Sequence, residues 1–262
     1  PLAQIGRPGL FVSALRQALL ANQVDFIVHS FKDLPTGVHE GIDLAAVLPR
    51  QDPRDILISA TGAKLHELAP GAIVGTSSPR RSEQLKLFRP DLMVKAIRGN
   101  VDTRISKVHA GEFDAVILAA AGLHRLGRQK EIVEYLETSI FIPAPAQGVL
   151  VVECRSNDRD FALRLHKLDH HPTRLTSIAE RAILEGISAT CQTAVGSYAR
   201  FTAQGSATLH LIADLAGVNP IGYVKIDISS SNLILEEDSA REFGLAAAAQ
   251  LLGDNTTQKV KK

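Results

Sequence analysis

The sequence predicts an α/β fold, and two observations support this prediction. Three segments, 71–88, 92–111 and 113–127, each repeat a short apolar strand, a polar turn and a helix. Strands that alternate with helices at this spacing form βαβ units, which favour a mostly parallel sheet. The 262 residues are also 45% hydrophobic, which is enough to build one large domain or two to three small ones.

Capping residues set the limits of these elements. The three strands are predicted at 72–74, 92–97 and 115–118. Ser78 is expected to cap the first helix and Pro79 to be its first residue, because a missing N–H costs nothing at that position. Asn100 is expected to cap the second helix and Gly111 to end it. The third helix is predicted to end near Gly127.

The segments that join these units predict three α/β domains, with the first domain re-entered after the second. Residues 50–55 and 141–155 are the predicted crossings, and a buried strand is expected at 149–153. Residues 168–174 mark a further boundary before a helix through 179–185. The predicted domains are residues 1–50 with 147–167, residues 51–146, and residues 168–262.

Composition and charge argue against several classes of function. Lys plus Arg number 29 and Asp plus Glu 28, so no overall charge attracts nucleic acid or a membrane, although a local basic cleft is compatible with these totals. Aromatic residues make up only 5%, too few for stacking platforms for single-stranded nucleic acid. No apolar run approaches the roughly 18 residues of a membrane span. Two cysteines without disulfide spacing, and no secretory signal pattern, predict a cytoplasmic location.

Arginines follow the ends of successive predicted strands. They lie within or beside helix starts, at the edge of an α/β sheet where ligands bind: Arg80, Arg81, Arg98, Arg104 and Arg125. A single arginine there is usually solvated, but a cluster of five repels itself unless an anion binds. Because the G-x-x-x-x-G-K-[ST] phosphate loop is absent, a polycarboxylate is favoured over a nucleotide.

The stretch VHSFKDLP at 28–35 places a carboxylate at the same edge. It follows a predicted strand at 24–28, and Pro35 keeps the preceding residue extended. Taken alone, Asp33 beside Lys32 is interpreted as a surface ion pair on a turn, which is worth little. In an arginine-lined cleft, however, the same carboxylate can stabilise a cation or move a proton.

The cysteines and histidines by themselves predict little chemistry. Cys154 lies inside an apolar strand and is predicted to be inert core. Cys191 lies in the turn-like stretch SATCQTAVGSYAR, with no neighbouring His and no metal-ligand spacing, so a structural role is the simpler interpretation. His170 and His171 are expected to cap a linker. Since H-E-x-x-H and G-x-S-x-G are absent, no metal is expected.

Taken together, the motifs resemble the porphobilinogen deaminase (hydroxymethylbilane synthase) family over nearly the whole chain. The resemblance rests on seven stretches in the family's order: GLFVSALRQALL, VHSFKDLP, GTSSPRRSEQL, IRGNVDTR, AGLHRLG, PAPAQGVLVVECR and ERAILEGISATCQTAVGSYA. It implies three domains, of which the first two are like type II periplasmic binding proteins with mixed sheets. The third is implied to be a smaller α+β domain that carries a cofactor loop.

The resemblance also implies an activity. Members join four porphobilinogen molecules head to tail and release ammonia each time, giving hydroxymethylbilane for tetrapyrrole (haem) biosynthesis. They use a dipyrromethane primer bound through a thioether, by motif to Cys191, which replaces the structural interpretation of this cysteine. Asp33 matches the catalytic aspartate, and a carboxylate there stabilises the positive charge left when ammonia departs. The implied partner is the small-molecule substrate alone, with a monomer and neither nucleic acid nor membrane.

The resemblance assigns further residues to the acetate and propionate groups of the pyrroles. The cofactor-binding residues besides Cys191 are Lys32, Ser30, Thr76, Ser78, Arg80, Arg81, Arg98, Arg104 and Gly122. The substrate-binding residues are Arg125, Gln147 and Arg7.

Three features depart from the family pattern. The family's first strand, with an Arg-Gly-Ser type motif, is expected upstream of residue 1, so domain 1 is expected to lack a central pairing in this sequence. Pro8 stands where many members carry lysine in a lid loop, and Arg7 is the expected substitute. Thr190 precedes Cys191 in place of glycine and Ala194 replaces a proline, which is expected to loosen the loop without removing the thiol.

Two other functions are compatible with the same fold. A non-catalytic, two-lobed polyanion-binding protein shares the architecture. A nucleotide-dependent transferase is disfavoured because no phosphate loop is present. A covalently bound pyrrole distinguishes the family's activity from both.

Overall fold

The computed structural model describes residues 8–37, 39–190, 192–203, 205–217 and 222–253, and for residues 8–11 the backbone alone. The described helices are α1 Pro8–Leu20, α2 Pro79–Phe88, α3 Val101–His109, α4 Ala120–Arg125, α5 Arg159–His166, α6 His171–Gly186 and α7 Glu237–Leu251. Short 3-10 turns lie at Phe31–Asp33, Leu65–Glu67 and Gln129–Glu131. No described helix is long and apolar enough to cross a bilayer.

The strands form three sheets, which confirms the α/β class with mixed sheets. They are β1 Phe26–Ser30, β2 Ile42–Val47, β3 Asp55–Ser59, β4 Ile73–Gly75, β5 Met93–Lys95, β6 Ala115–Ala119, β7 Glu134–Leu136, β8 Leu150–Arg155, β9 Ala194–Phe201, β10 Leu209–Ala216 and β11 Tyr223–Ser229. The described sheet orders are β1-β8-β2, β5-β4-β6-β3-β7 and β11-β10-β9.

The first sheet is antiparallel throughout its described strands. The reason is that β8 returns from the second sheet and inserts between β1 and β2, antiparallel to both. The strand β1 also begins two residues later than predicted, because the turn after α1 contains Asn22 with φ +57°. This register pairs Ser30 with Leu150 and ends β1 at Ser30, immediately before the turn Phe31–Asp33.

The second sheet contains the predicted βαβ units. Strand β4 pairs in parallel with β5 and β6, whereas β3 runs antiparallel to β6 and β7. The sheet is therefore mixed rather than mostly parallel as predicted, because β3 and β7 join it in the opposite direction. The predicted caps are confirmed: Ser78 Oγ accepts a bond from the N–H of Arg81 with Pro79 at the first helical position, and Asn100 Oδ1 accepts from the N–H of Thr103 at 2.9 Å. Local sequence therefore fixes where α2 and α3 begin at the edge of this sheet.

The third sheet is antiparallel, and α6 and α7 pack against it around a core of buried aliphatic side chains. His170 caps α6, since its Nδ1 accepts a bond from the N–H of Thr173 at 3.3 Å. The two helices approach closely at Gly244, where an added Cβ would collide with the carbonyl oxygen of Ala179. Small residues at this contact bring the helices together and fix the position of α6.

The two crossings between the first and second sheets lie side by side. The N–H of Gln51 donates to the carbonyl oxygen of Gly148 at 3.0 Å. Gly148 has φ +88°, and a Cβ at this position would lie 2.6 Å from the carbonyl oxygen of Gln51. Only glycine combines this conformation with this approach, so the backbone at 148 fixes how close the two crossings run.

Candidate active site

The turn that carries Asp33 is anchored at its start and exposed at its end. The N–H of Phe31 donates to the carbonyl oxygen of Val149 at 2.9 Å, and the Phe31 side chain is buried. Lys32 is partly exposed and Asp33 is exposed. The buried and hydrogen-bonded Phe31 therefore fixes the start of the turn, and Lys32 and Asp33 follow it on the surface of a cavity.

Two neighbouring cavities share this turn. The larger has a volume of about 730 Å³ and lies against the start of α2. The smaller has a volume of about 290 Å³ and lies against α3, α4 and the crossing at 148–149. Four side chains line both: Lys32, Asp33, Arg81 and Arg104. Three of these four are cations, so the shared wall suits an anionic ligand.

The loop around position 191 reaches the same cavity. Cys191 itself lies outside the described residues. Its neighbours Thr190 and Thr193 line the larger cavity, and the N–H of Thr190 donates to Thr193 Oγ1 at 2.9 Å. Asp33 and the loop that carries Cys191 are thus on the walls of one cavity, although they are far apart in sequence.

Arg80 and Arg81 are buried and share a counter-ion that the sequence did not reveal. Arg80 Nη1 donates to Asp55 Oδ2 at 2.7 Å, and Arg81 donates to Asp55 Oδ1 through Nε at 3.1 Å and Nη2 at 2.7 Å. The expectation that the arginines repel one another until an anion binds is therefore wrong for this pair. One signal was present in the sequence: Asp55 is the single polar residue at the start of the otherwise apolar run DILI.

Asp55 also connects the arginines to the turn that carries Asp33. Gln147 Nε2 donates to Asp55 Oδ1 at 2.9 Å, and Gln147 Oε1 accepts from Lys32 Nζ at 3.3 Å. Although burial opposes ionisation, attraction to Arg80 and Arg81 and their hydrogen bonds hold the pKa of Asp55 well below its usual value. The carboxylate is therefore charged at neutral pH and organises both sides of the site.

Lys32 has a lowered pKa for the opposite reason. Removal of its ammonium group from water and repulsion by Arg81 lower the pKa to about 8, and attraction to Asp33 only partly offsets this. Among the described residues Lys32 has no carboxylate within ion-pair distance. It is a cation at neutral pH and loses its charge in the mildly alkaline range.

Arg104 and Arg125 are cations held by backbone carbonyls. Arg104 Nε donates to the carbonyl oxygen of Gly99 at 2.8 Å, and Arg125 Nη2 donates to that of Gly148 at 3.4 Å. Burial lowers the pKa of both groups. Neither forms an ion pair with any described carboxylate, so both can bind anions from solution.

Of the other predicted site residues, some line a cavity and others do not. Ser30 and Gly122 line the smaller cavity, as does Arg125. Thr76 is buried, and its hydroxyl accepts a bond from the N–H of Ser78 at 3.2 Å, so it shapes the start of α2 without lining a cavity. Arg98 is exposed and lines neither cavity. Arg7 lies outside the described residues.

The donors present fit a ligand with several carboxylates, such as a dipyrromethane with its acetate and propionate groups. Arg80, which lines the larger cavity, has a buried Nε that finds no acceptor in the described part of the chain. A buried donor without a partner is costly, and a carboxylate would satisfy it. Arg104 and Lys32 supply further positive charge on the wall that the two cavities share, and Arg125 supplies it in the smaller cavity.

The fold and the site together define an α/β protein with a cation-lined cavity, whose walls include an aspartate and a loop that leads into the third sheet. Sequence models of one family cover almost all of the chain. "Porphobilinogen deaminase, dipyromethane cofactor binding domain" matches residues 1–163, and "Porphobilinogen deaminase, C-terminal domain" matches residues 174–253. The chain belongs to the porphobilinogen deaminase family.

Individual relatives agree with this assignment. A porphobilinogen deaminase of Thermobifida fusca is 54% identical over 78% of this chain and 64% of its own length. That of Acidothermus cellulolyticus is 44% identical over 96% of this chain and 75% of its own length. The chain thus spans slightly less than two thirds of the first relative and three quarters of the second.

A partial structural similarity also exists. The VFT2 domain of BvgS from Bordetella pertussis overlaps 60% of this chain and 66% of its own, with a TM-score of 0.39 and 12% identity.

Proposed function

We propose that this chain catalyses the stepwise, head-to-tail condensation of four porphobilinogen molecules, with release of ammonia at each step, to give hydroxymethylbilane. One observation carries the proposal beyond family membership. Asp33 and the residues on either side of the loop at 191 line a single cavity of about 730 Å³ whose other charged residues are cations. A condensing enzyme needs this arrangement, because the growing chain and the reacting carboxylate must meet.

Cys191 is the proposed attachment site of a dipyrromethane. When bound, this group supplies the free pyrrole α-carbon to which each new ring is joined. Lys32, Arg80, Arg81 and Arg104 are the residues proposed to hold its carboxylates, with Ser30, Thr76, Ser78, Gly122 and Arg98 assigned by motif. The buried Nε of Arg80 without an acceptor supports this role.

Asp33 is the proposed catalytic residue. Loss of ammonia from a protonated aminomethyl group leaves a positively charged methylene-pyrrole, and a carboxylate in a cavity stabilises that charge more strongly than water does. After the new carbon–carbon bond forms, the ring carbon carries a surplus proton, which the same carboxylate can accept. Arg125 and Gln147, with Arg7 by motif, are proposed to bind the incoming substrate.

The wider organisation follows the family. We place the domain limits at residues 1–50 with 147–167, 51–146 and 168–262, with the crossings at 50–55 and 141–155 as the connections between the first two. The side-by-side crossings at Gln51 and Gly148 support this division. The enzyme is proposed to act as a cytoplasmic monomer that binds neither nucleic acid nor membranes.

The intact mass under denaturing conditions tests the proposal, with Cys191→Ser measured alongside. We expect an excess equal to two pyrrole units in the parent chain and none in the variant. A bare chain that gains no mass and consumes no porphobilinogen when that substrate is added would refute the condensation. It would instead favour the non-catalytic polyanion-binding protein.

A further inference from the structure

Arg181 on α6 holds the backbone on both sides of Asp33. Its Nη1 donates to the carbonyl oxygens of Phe31 at 2.9 Å and Leu34 at 3.1 Å, and its Nη2 donates to that of Pro35 at 2.6 Å. The guanidinium carbon also lies 4.4 Å from the centre of the Phe31 ring. One buried side chain from the helix beside the third sheet therefore fixes the turn that ends β1.

Few hydrogen bonds within the turn at 31–33 stabilise its conformation. It is a single 3-10 turn, with one bond from the N–H of Leu34 to the carbonyl oxygen of Phe31 at 3.3 Å and no side-chain cap from Ser30. Such short turns have poor hydrogen-bond geometry and hold their shape weakly. The carbonyl groups of Leu34 and Pro35 need donors from elsewhere, and Arg181 supplies them.

The burial of Arg181 has no simple electrostatic explanation. The side chain forms no ion pair with any described carboxylate. Burial and repulsion from Arg16 lower its pKa to about 10, and attraction to Glu153 opposes this shift only in part. A buried cation without a carboxylate costs free energy, so its placement is best explained by the geometry it imposes on the turn.

The helix that carries Arg181 also leads to the loop at 191. Helix α6 ends at Gly186, Ser188 follows with φ +51°, and Thr190 and Thr193 then line the same cavity as the Asp33 turn. An α-helix rises 1.5 Å per residue and is stiff over such a distance. The position of Arg181 along α6 therefore determines how far the turn lies from the loop.

We propose that Arg181 is a positioning residue, which sets the Asp33 carboxylate at the correct distance from the loop that carries Cys191. This inference rests on the proposed function. It predicts that loss of the guanidinium lowers kcat more than it raises KM, because Arg80, Arg81, Arg104 and Arg125 lie on α2, α3 and α4. Of the anion-binding cations in the two cavities, only Lys32 lies on the turn itself.

A third cavity makes a direct test available. It has a volume of about 230 Å³, lies behind the turn, and is lined by Phe31, Arg181, Glu185 and Arg241 among others. In Arg181→Ala the vacated space adjoins this cavity, so a guanidinium ion from solution can reach the same three carbonyl groups. Arg241 pairs with Glu185 on the surface and does not contact the turn, so Arg241→Ala is the matched control.

The experiment uses protein loaded with dipyrromethane and measures kcat and KM for porphobilinogen, with and without about 50 mM guanidinium, far below the molar concentrations that unfold proteins. For Arg181→Ala we expect kcat to fall about 10- to 100-fold, because small misplacements of catalytic groups slow reactions by such factors. The change in KM should be much smaller. Guanidinium should restore much of the lost kcat in this variant and should not stimulate the parent chain or Arg241→Ala.

Each other outcome overturns the inference. A kcat close to the parent value would show that the turn keeps its position without Arg181, and a loss that guanidinium does not relieve would indicate a general structural role. If Arg181→Ala does not fold, Arg181→Lys replaces it and should lower kcat more than it raises KM; parental kcat in that variant refutes the role. Failure of the parent chain to carry dipyrromethane would refute the proposed function instead.

Discussion

Asp55 accepts two hydrogen bonds from Arg81 on a single oxygen, at 3.1 and 2.7 Å, while its other oxygen accepts from Arg80. All three side chains are buried. The pairing joins the start of β3 to the start of α2, and Gln147 extends it to the crossing beside the Asp33 turn. The anion-binding wall is thus preorganised before any ligand arrives, since its two most buried cations are already held in place.

Replacement of Asp55 by Asn should destabilise the protein. It leaves two buried guanidinium groups without a counter-ion, and removing one partner of a buried ion pair typically costs about 3–5 kcal/mol. Chemical denaturation at pH 7 measures the loss, with Glu83→Gln, which breaks only the exposed pair with Lys86, as the control.

The effect of Asp55→Asn should also depend on pH. Because the folded pKa of Asp55 is depressed, its stabilising contribution is full above the unfolded value of about 3.9 and declines as the pH falls towards the folded value. The difference between the parent chain and the variant should therefore shrink in acid. A difference in unfolding free energy that is already negligible at pH 7 would contradict the role given to this ion pair.

Asp33→Asn should strongly reduce turnover and leave the fold intact. Asparagine keeps the shape of the exposed side chain but can neither stabilise a cation with a full charge nor accept a proton, so a loss of about 10²- to 10⁴-fold in kcat is expected. Steady-state kinetics and intact mass report the rate and the retained cofactor. Asp25→Asn is the control, since Asp25 is exposed and lines neither active-site cavity; near-parental rates in Asp33→Asn would remove the residue from the mechanism.

Arg104→Ala should weaken binding of the polyanion. Arg104 lines both cavities and is held by one backbone carbonyl, so its removal eliminates positive charge without breaking an ion pair among the described residues. Loss of one charged hydrogen-bonding group corresponds to roughly a tenfold rise in KM or a block in elongation. Lys107→Ala, on the same helix but outside both cavities, should behave as the parent chain, and equal effects of the two changes would show that Arg104 acts only through net charge.

The KM for porphobilinogen should rise as the pH increases through about 8. The pKa of Lys32 is lowered to about 8, so its charge is present below that pH and is lost above it. A carboxylate ligand favours the charged form, hence its affinity falls as Lys32 deprotonates. In Lys32→Gln the KM should be higher at pH 7 and lack this inflection; the same inflection in the variant would assign it to another group.

Local signals in the sequence were sufficient for much of the fold. Ser78, Pro79 and Asn100 begin their helices where predicted, because a cap bonds to N–H groups only two or three residues away. The apolar run before VHSFKDLP correctly placed Asp33 just after a strand, and the motifs identified the family. Each of these features depends on residues that are close together in the sequence, so the sequence alone is sufficient to predict it.

What only the tertiary structure decided depends on distant contacts. The first sheet is antiparallel because β8 inserts between β1 and β2, which no local pattern encodes. Asp55 and Arg81 form hydrogen bonds although they are 26 residues apart in sequence. Arg181 and Phe31, at the start of the Asp33 turn, are 150 residues apart. Side chains so far apart in sequence become partners only when packing of the sheets and helices brings them together, so the sequence determined which charges are present and the fold determined which of them are paired.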